Sequence, residues 1–227
     1  MACDNAKSEQ QQNAIPKSKD EIRKAEFSQL DTADYNARIQ HMLNGDTSGK
    51  WPVKAPYPKE GAILPFKRII AYYGNLYSKQ MGILGELPKY QMFSRLNAEV
   101  RKWELADPKT PVQPALHYIA VTAQGAPGPG GTYRMRMPFK QIDTIVSWAK
   151  EINALVFLDV QVGLSSIQNE LPEFETYLKL PNVHFGMDPE FSMKGGEKPG
   201  SVIGSYNAAD INYVIDYLTK MVKKYDL

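Results

Sequence analysis

Cysteine is nearly missing from this sequence. Cys3 is the only one, which excludes an intrachain disulfide and any zinc site built on clustered thiolates. Long apolar runs are missing as well. No stretch approaches the roughly 20 apolar residues that span a bilayer, and no apolar segment follows Met1 to form the core of a signal peptide. Charge of one sign is not in excess either. The 27 basic and 25 acidic residues leave a net charge of +2, which offers no broad attraction to nucleic acid or to an anionic membrane surface. No serine sits in a nucleophile-elbow motif, which argues against an α/β-hydrolase. No internal repeat is present.

What is there fits an ordinary folded domain. The chain has 227 residues, 43% apolar and 23% charged, enough for one sizeable domain with a tail. Thirteen tyrosines and eight phenylalanines supply core, with surface to spare for sugar-like or planar ligands. Cys3 follows a small residue and precedes Asp4-Asn5 and the polar run Ala6 to Asn13. That order resembles the mature start of a bacterial lipoprotein, in which the cysteine carries the lipid and a tether spaces the domain from the membrane. It makes Cys3 the candidate lipidation site and the cell envelope the expected location.

Residues 1–20 are polar and read as a disordered tether. Residues 21–62 read as a helix, capped near Asp31 and ending near Leu43-Asn44-Gly45, followed by an extended proline-rich connector. Gly45 to Lys50 resembles a phosphate loop in outline. It is one residue short, and Trp51 stands where a magnesium-binding Ser or Thr is needed.

Residues 63–227 carry a β/α rhythm. Short apolar runs at Arg68–Tyr73, Ala115–Val121, Ala154–Gln161 and Val183–Asp188 read as strands. Helical patterns lie between and after them: Tyr90–Leu105, Pro138–Ile152, Ser166–Leu180 (interrupted at Pro172) and Ala208–Lys224, capped by Asn207. The stripe Ile211, Val214, Ile215, Leu218 and Val222 is expected to be buried. Four such units predict an α/β fold with a parallel sheet, as a partial or open TIM-barrel-like arrangement, because a closed barrel takes about 250 residues. An open half barrel exposes hydrogen-bonding edges, which predicts pairing with another copy.

Ligands of parallel β/α folds bind at the carboxyl ends of the strands. Those ends hold Tyr73 and Asn75, Gln124, the pair Asp159 and Gln161, and the pair Asp188 and Glu190. Members of each pair stand two residues apart and so share a face. Acidic residues also end strands for purely structural reasons. If the third and fourth strands are neighbours, about 4.8 Å apart, their carboxylates repel, so that one is held protonated and the other ionised. General acid–base hydrolysis requires such a pair. Glu190 is the expected acid because it reaches furthest, with Asp159 or Asp188 as its partner. Mg²⁺ or Ca²⁺ at the same carboxylates is the alternative chemistry. The loop Gly125–Gly131 is a candidate wall or lid, and Arg134 after it a candidate ligand contact. His117 and His184 read as hydrogen-bonded core histidines.

The segments Ile70–Asn75, Met81–Glu86, Leu158–Gln161, Met187–Phe191, Pro199–Ser205 and Ala209–Asn212, taken in order, resemble a family of largely uncharacterised secreted or lipid-anchored bacterial proteins. The resemblance covers roughly residues 64–220. It implies a TIM-barrel-like, glycosidase-like fold, and it places Asp159, Gln161, Asp188 and Glu190 in a shared pocket. Members of that family continue with further β/α units, including a His-Phe-Thr segment and a late Asp-Gly-aromatic-Gly segment. Neither occurs in this sequence, which implies a C-terminal truncation or a divergent short form. The resulting expectation is a cell-envelope hydrolase-like lipoprotein acting on glycans. The alternatives are a non-catalytic lipoprotein that binds a glycan or a protein and, more remotely, a metal-dependent phosphoesterase.

Overall fold

Alternating apolar and turn-forming segments dictate where the chain extends and where it coils. The computed structural model describes residues 30–51, 55–59 and 61–227. Cys3 and the tether of residues 1–20 lie outside the described residues, as do residues 21–29, 52–54 and 60. The chain divides into two compact units, Met1–Phe66 and Lys67–Leu227.

In the first unit, α1 spans Thr32–Leu43. The Asp31 side chain accepts hydrogen bonds from the backbone N–H of Ala33 and Asp34, satisfying donors that a helix start leaves orphaned. Asn44 closes the helix in the left-handed conformation.

The second unit holds a five-stranded sheet. β1 (Arg68–Gly74), β2 (Val112–Ala123), β4 (Leu155–Val160) and β5 (Val183–Met187) lie side by side in that order, all parallel. The fold is therefore a mixed α/β arrangement built of parallel β/α units, a partial barrel-like form rather than a closed one. β3 (Arg134–Arg136) was not foreseen. It runs antiparallel to the end of β2, pairing Val121 with Arg136 and Ala123 with Arg134. Three residues are too short to show an alternating pattern, and the glycine-rich segment before them reads as loop. Gly125–Gly131 is thus the connection of a β2–β3 hairpin, closed by hydrogen bonds from Tyr133 N–H to Pro127 O and from Gln124 N–H to Tyr133 O, each 2.9 Å.

The longer helices match the 3.6-residue pattern that predicts them; the short α2 falls in a segment that reads as loop. α2 (Ile83–Glu86) and α3 (Lys89–Ala106) follow β1, and α4 (Phe139–Glu151) follows β3. After β4 the chain coils in three short pieces: α5 (Ile167–Glu170), a 3-10 turn (Leu171–Phe174) containing Pro172, and α6 (Glu175–Leu178). α7 (Ala208–Tyr225) closes the unit, with Asn207 and Asp210 capping each other reciprocally.

Parallel neighbours added in sequence order, with right-handed crossovers, bring their helices to one face of the sheet. Leu116, Tyr118 and Ala120 of β2 and Val156, Leu158 and Val160 of β4 pack there against Met92, Phe93, Leu96, Ile142, Ile145 and Ala149. Each buried Leu, Ile or Phe contributes about 1.5–3 kcal/mol. The predicted buried stripe of α7 holds only in part. Val214 is buried, but Ile211 and Ile215 are 45% and 55% exposed. On the opposite sheet face Tyr73, His117, Phe157 and His184 run across all four parallel strands, each ring touching the next at 5.0, 5.6 and 5.3 Å between centroids.

Candidate functional site

Register brings the acidic ends together. Asp159 on β4 stands opposite Gly186 on β5, and the Asp188 N–H reaches Val160 O at 3.3 Å, so Asp188 extends the last rung of the sheet. Asp159 and Gln161 are both buried. The Tyr73 hydroxyl, entering from β1, donates to Asp159 Oδ2 at 3.3 Å. The amide of Gln161 donates to the same Tyr73 oxygen at 3.3 Å and to Asp188 Oδ2 at 3.0 Å. Its own oxygen accepts from the Ala123 N–H at 2.9 Å, which fixes the orientation of the amide. One chain of side chains thus links β1, β4 and the end of β5. Sequence reasoning named all four members: Tyr73, Asp159, Gln161 and Asp188.

Electrostatics separates the two aspartates. Burial raises Asp188 above the ordinary carboxylate range, and the charge of Asp159 beside it raises it further. The charge of Glu190 adds to the rise, while hydrogen bonds from the Gln161 amide and from the Glu190 backbone oppose it. Burial, followed by the charges of Asp159 and Asp188, also holds the Tyr73 phenol well above its normal value, so Tyr73 acts as a donor.

His117 belongs beside this pair. Its Nε2 lies 3.4 Å from Asp159 Oδ1, close enough for an ion pair when protonated, yet it has no hydrogen-bond partner among the described residues. His184 Nε2 is likewise buried without a partner, and burial lowers its affinity for a proton. The expectation of hydrogen-bonded core histidines is therefore corrected. Both rings lie in the aromatic row on the sheet face opposite the helices. Gly186 makes the arrangement sterically feasible: a Cβ there would lie 2.9 Å from Asp159 Oδ1 and 3.3 Å from His117 Nε2.

Tyr206 was missed. Its hydroxyl is buried without a partner among the described residues. Burial raises its proton affinity first, and the charge of Asp188 is next in size, followed by Asp210, Asp159 and Glu170. The loop that carries it is pinned by hydrogen bonds from Gly204 N–H to Glu190 O (2.7 Å) and from Ser205 N–H to Ser192 O (3.4 Å). The only sequence signal was its position directly after the segment Pro199–Ser205.

The side chains of the other predicted site residues are not part of the side-chain link between Tyr73, Asp159, Gln161 and Asp188. Glu190 is exposed on a 3-10 turn, Pro189–Phe191. Alternation stops where β5 ends at Met187, so the two-residue spacing from Asp188 no longer sets a shared face. Asn75 is buried and spent on the backbone, donating to Ile119 O at 2.9 Å and accepting from Tyr77 N–H at 2.7 Å. Gln124 donates to Ala126 O at 3.2 Å within its own hairpin. Arg134 donates to Glu170 Oε1 at 2.8 Å. Glu170 is fully buried and also accepts from Arg136 Nε at 2.7 Å and Ser165 Oγ at 2.6 Å. Burial pushes the Glu170 carboxyl up, but these bonds together outweigh it and hold it below the ordinary range.

Among the described residues no three His, Cys, Asp or Glu side chains are grouped to hold a metal ion, and no helix is long and apolar enough to cross a membrane. No protein-family model, curated protein or solved structure matches the chain.

Proposed function

We propose that the chain acts on a polar, glycan-class ligand by carboxylate acid–base hydrolysis at the carboxyl ends of β4 and β5. The observation that carries this reading is the hydrogen-bonded chain that joins Asp159 to Asp188 through Tyr73 and Gln161, with burial and then the charge of Asp159 raising the proton affinity of Asp188. Asp188 takes the role of proton donor to a leaving oxygen, and Asp159 that of the charged partner. This reassigns the acid from Glu190, whose side chain is exposed and which reaches Asp188 through its backbone and its charge. Tyr73, 36% exposed, and the ring of His117 form the accessible side, with an aromatic surface suited to a sugar face. On the same reading the protein works at the cell envelope, held there by a lipid on Cys3.

A panel of aryl glycosides assayed with the full chain tests this. Turnover by the unmodified protein should fall about 10²–10⁴-fold in Asp188→Asn, and Asp159→Asn should be similarly impaired. Glu190→Gln should lose much less. Unchanged turnover in both aspartate variants would overturn the assignment. A non-catalytic glycan-binding lipoprotein is the second reading, favoured by the burial of Asp159, which leaves the aromatic ring of Tyr73 the more accessible group. Calorimetric binding of an oligosaccharide, without hydrolysis and with equal affinity in the amide variants, would establish it instead.

A further inference from the structure

Building on the acid–base reading, we propose that His117 is the base of this site: it turns Nε2 to Asp159 and takes a proton at Nδ1 from the attacking water, so that hydrolysis inverts the anomeric carbon. A carboxylate that attacks a sugar carbon, or that holds the attacking water, must be able to touch it. Asp159 is closed off. Its side chain is 5% exposed, and both of its oxygens are faced by protein. The Tyr73 hydroxyl donates to Oδ2 at 3.3 Å, and His117 Nε2 stands 3.4 Å from Oδ1. The charge of Asp159 therefore reaches a ligand through one of these two neighbours.

Tyr73 is unsuited to the task. Burial, and then the charge of Asp159, raise its phenol above the normal value, so it keeps its proton and donates it toward Asp159. His117 is built for it. Neutral imidazole carries one proton and one lone pair. A ring nitrogen set against a carboxylate oxygen is favourable only when it bears the proton, so the lone pair falls to Nδ1. Nε2 is buried, whereas the side chain as a whole keeps 31% of its surface. Nδ1 bonds to no group among the described residues and is not closed off as Nε2 is, which puts it at the accessible side. Tyr73, edge-on at 5.0 Å, and Phe157, tilted at 5.6 Å, hold the plane of the ring. Gly186 keeps the space between the pair free of a Cβ, which would lie 3.3 Å from Nε2.

The step balances with water as the only co-reactant. The water oxygen forms a bond to the anomeric carbon as the bond to the leaving oxygen breaks. One water proton passes to His117 Nδ1, and the proton of Asp188 goes to the leaving oxygen. The imidazolium so formed faces Asp159, whose charge stabilises it at 3.4 Å. His117 then gives its proton to solvent and Asp188 regains one. No sugar is ever bonded to the protein, so a single displacement inverts the configuration.

The aryl glycoside that the full chain turns over fastest serves as the probe. Proton NMR of the first-formed sugar should show the inverted anomer. His117→Gln should lower kcat about 10²–10⁴-fold with an unchanged circular dichroism spectrum, and added imidazole should restore turnover to His117→Ala. A dinitrophenyl glycoside, whose leaving group departs without a proton, should rescue Asp188→Asn but not His117→Gln. His184→Gln is the control, since its Nε2 is also buried without a partner and burial alone shifts it; it should keep the turnover of the parent. Retention of configuration, full turnover in His117→Gln, an imidazole-insensitive His117→Ala or an equal loss in His184→Gln would each overturn the role of His117 and leave Asp188 as the acid. A larger loss in Glu190→Gln than in His117→Gln would do the same by moving the base to Glu190. No turnover of any glycoside by the parent would overturn the acid–base reading and this role with it.

Discussion

Two acidic sites lie near the carboxyl ends of the same strands, and they are built on opposite principles. Glu170 is wholly buried, yet Arg134, Arg136 and Ser165 surround it and hold it ionised below the ordinary carboxylate range. Asp188 is only half-buried, yet it has an amide for a partner and two negative neighbours, and it sits above that range. Burial alone therefore does not set a carboxyl's proton affinity. What distinguishes the two is whether the protein supplies opposite charge, and it does so where the β2–β3 hairpin must be fastened to α5. At the strand ends it withholds that charge. A compensated carboxylate is mechanically useful and chemically inert, whereas an uncompensated pair is poised to exchange a proton.

The contrast can be broken most severely at Glu170. Glu170→Ala leaves Arg134 without its carboxylate and Arg136 with only Glu173, and should cost about 3–5 kcal/mol in urea unfolding. A loss under 1 kcal/mol would mean that the cluster is not the clasp described. Gly186→Ala attacks the other site sterically, through the 2.9 Å approach to Asp159 Oδ1. It should cost about 1–3 kcal/mol and depress turnover of any aryl glycoside substrate, and a stability equal to that of the parent would contradict the close packing. Tyr73→Phe removes the hydroxyl shared by Asp159 and Gln161, at about 0.5–1.5 kcal/mol, measured by the same unfolding curves.

The smallest effect is the most diagnostic. The folded-state value of Asp188 lies above its ordinary 3.8, so between those two values the folded protein binds more protons than the unfolded chain. Stability contributed there is present at low pH and falls as pH rises through the window. Asp188→Asn should abolish that fall and raise stability at neutral pH by no more than about 1 kcal/mol, the partial exposure of the group screening the gain. Glu170 titrates in the opposite sense. Its contribution is present above the ordinary carboxylate range and is lost as pH falls through its lowered value. Unfolding curves across pH 3–7 separate the two, and a parallel pH dependence in Asp188→Asn and the parent would remove the distinction between the sites.

Much of this was legible in the chain itself, because the information was local. Apolar runs four to eight residues long identified β1, β2, β4 and β5, and 3.6-residue spacing identified α3, α4 and α7, since burial on one face leaves a periodic trace. The rule that parallel sheets bind ligands at their carboxyl ends then pointed to Tyr73, Asp159, Gln161 and Asp188. Its limit was equally local. The two-residue face rule failed for Glu190 as soon as Pro189 turned the chain out of the strand. Asn75 and Gln124 carry the right chemistry at the right place in sequence, but their hydrogen bonds are spent on nearby backbone.

What the sequence determined by itself was periodicity, and with it the kind and order of the elements. Partnership between residues far apart belonged to the tertiary structure alone: Arg134 with Glu170 rather than with a ligand, Tyr206 beside Asp188, His117 against Asp159, and Ile211 and Ile215 left uncovered on α7. The physical reason is that a side chain's charge state and exposure are set by whatever the fold brings within a few ångströms of it. Those neighbours come from separate strands and loops, and no spacing along the chain records them.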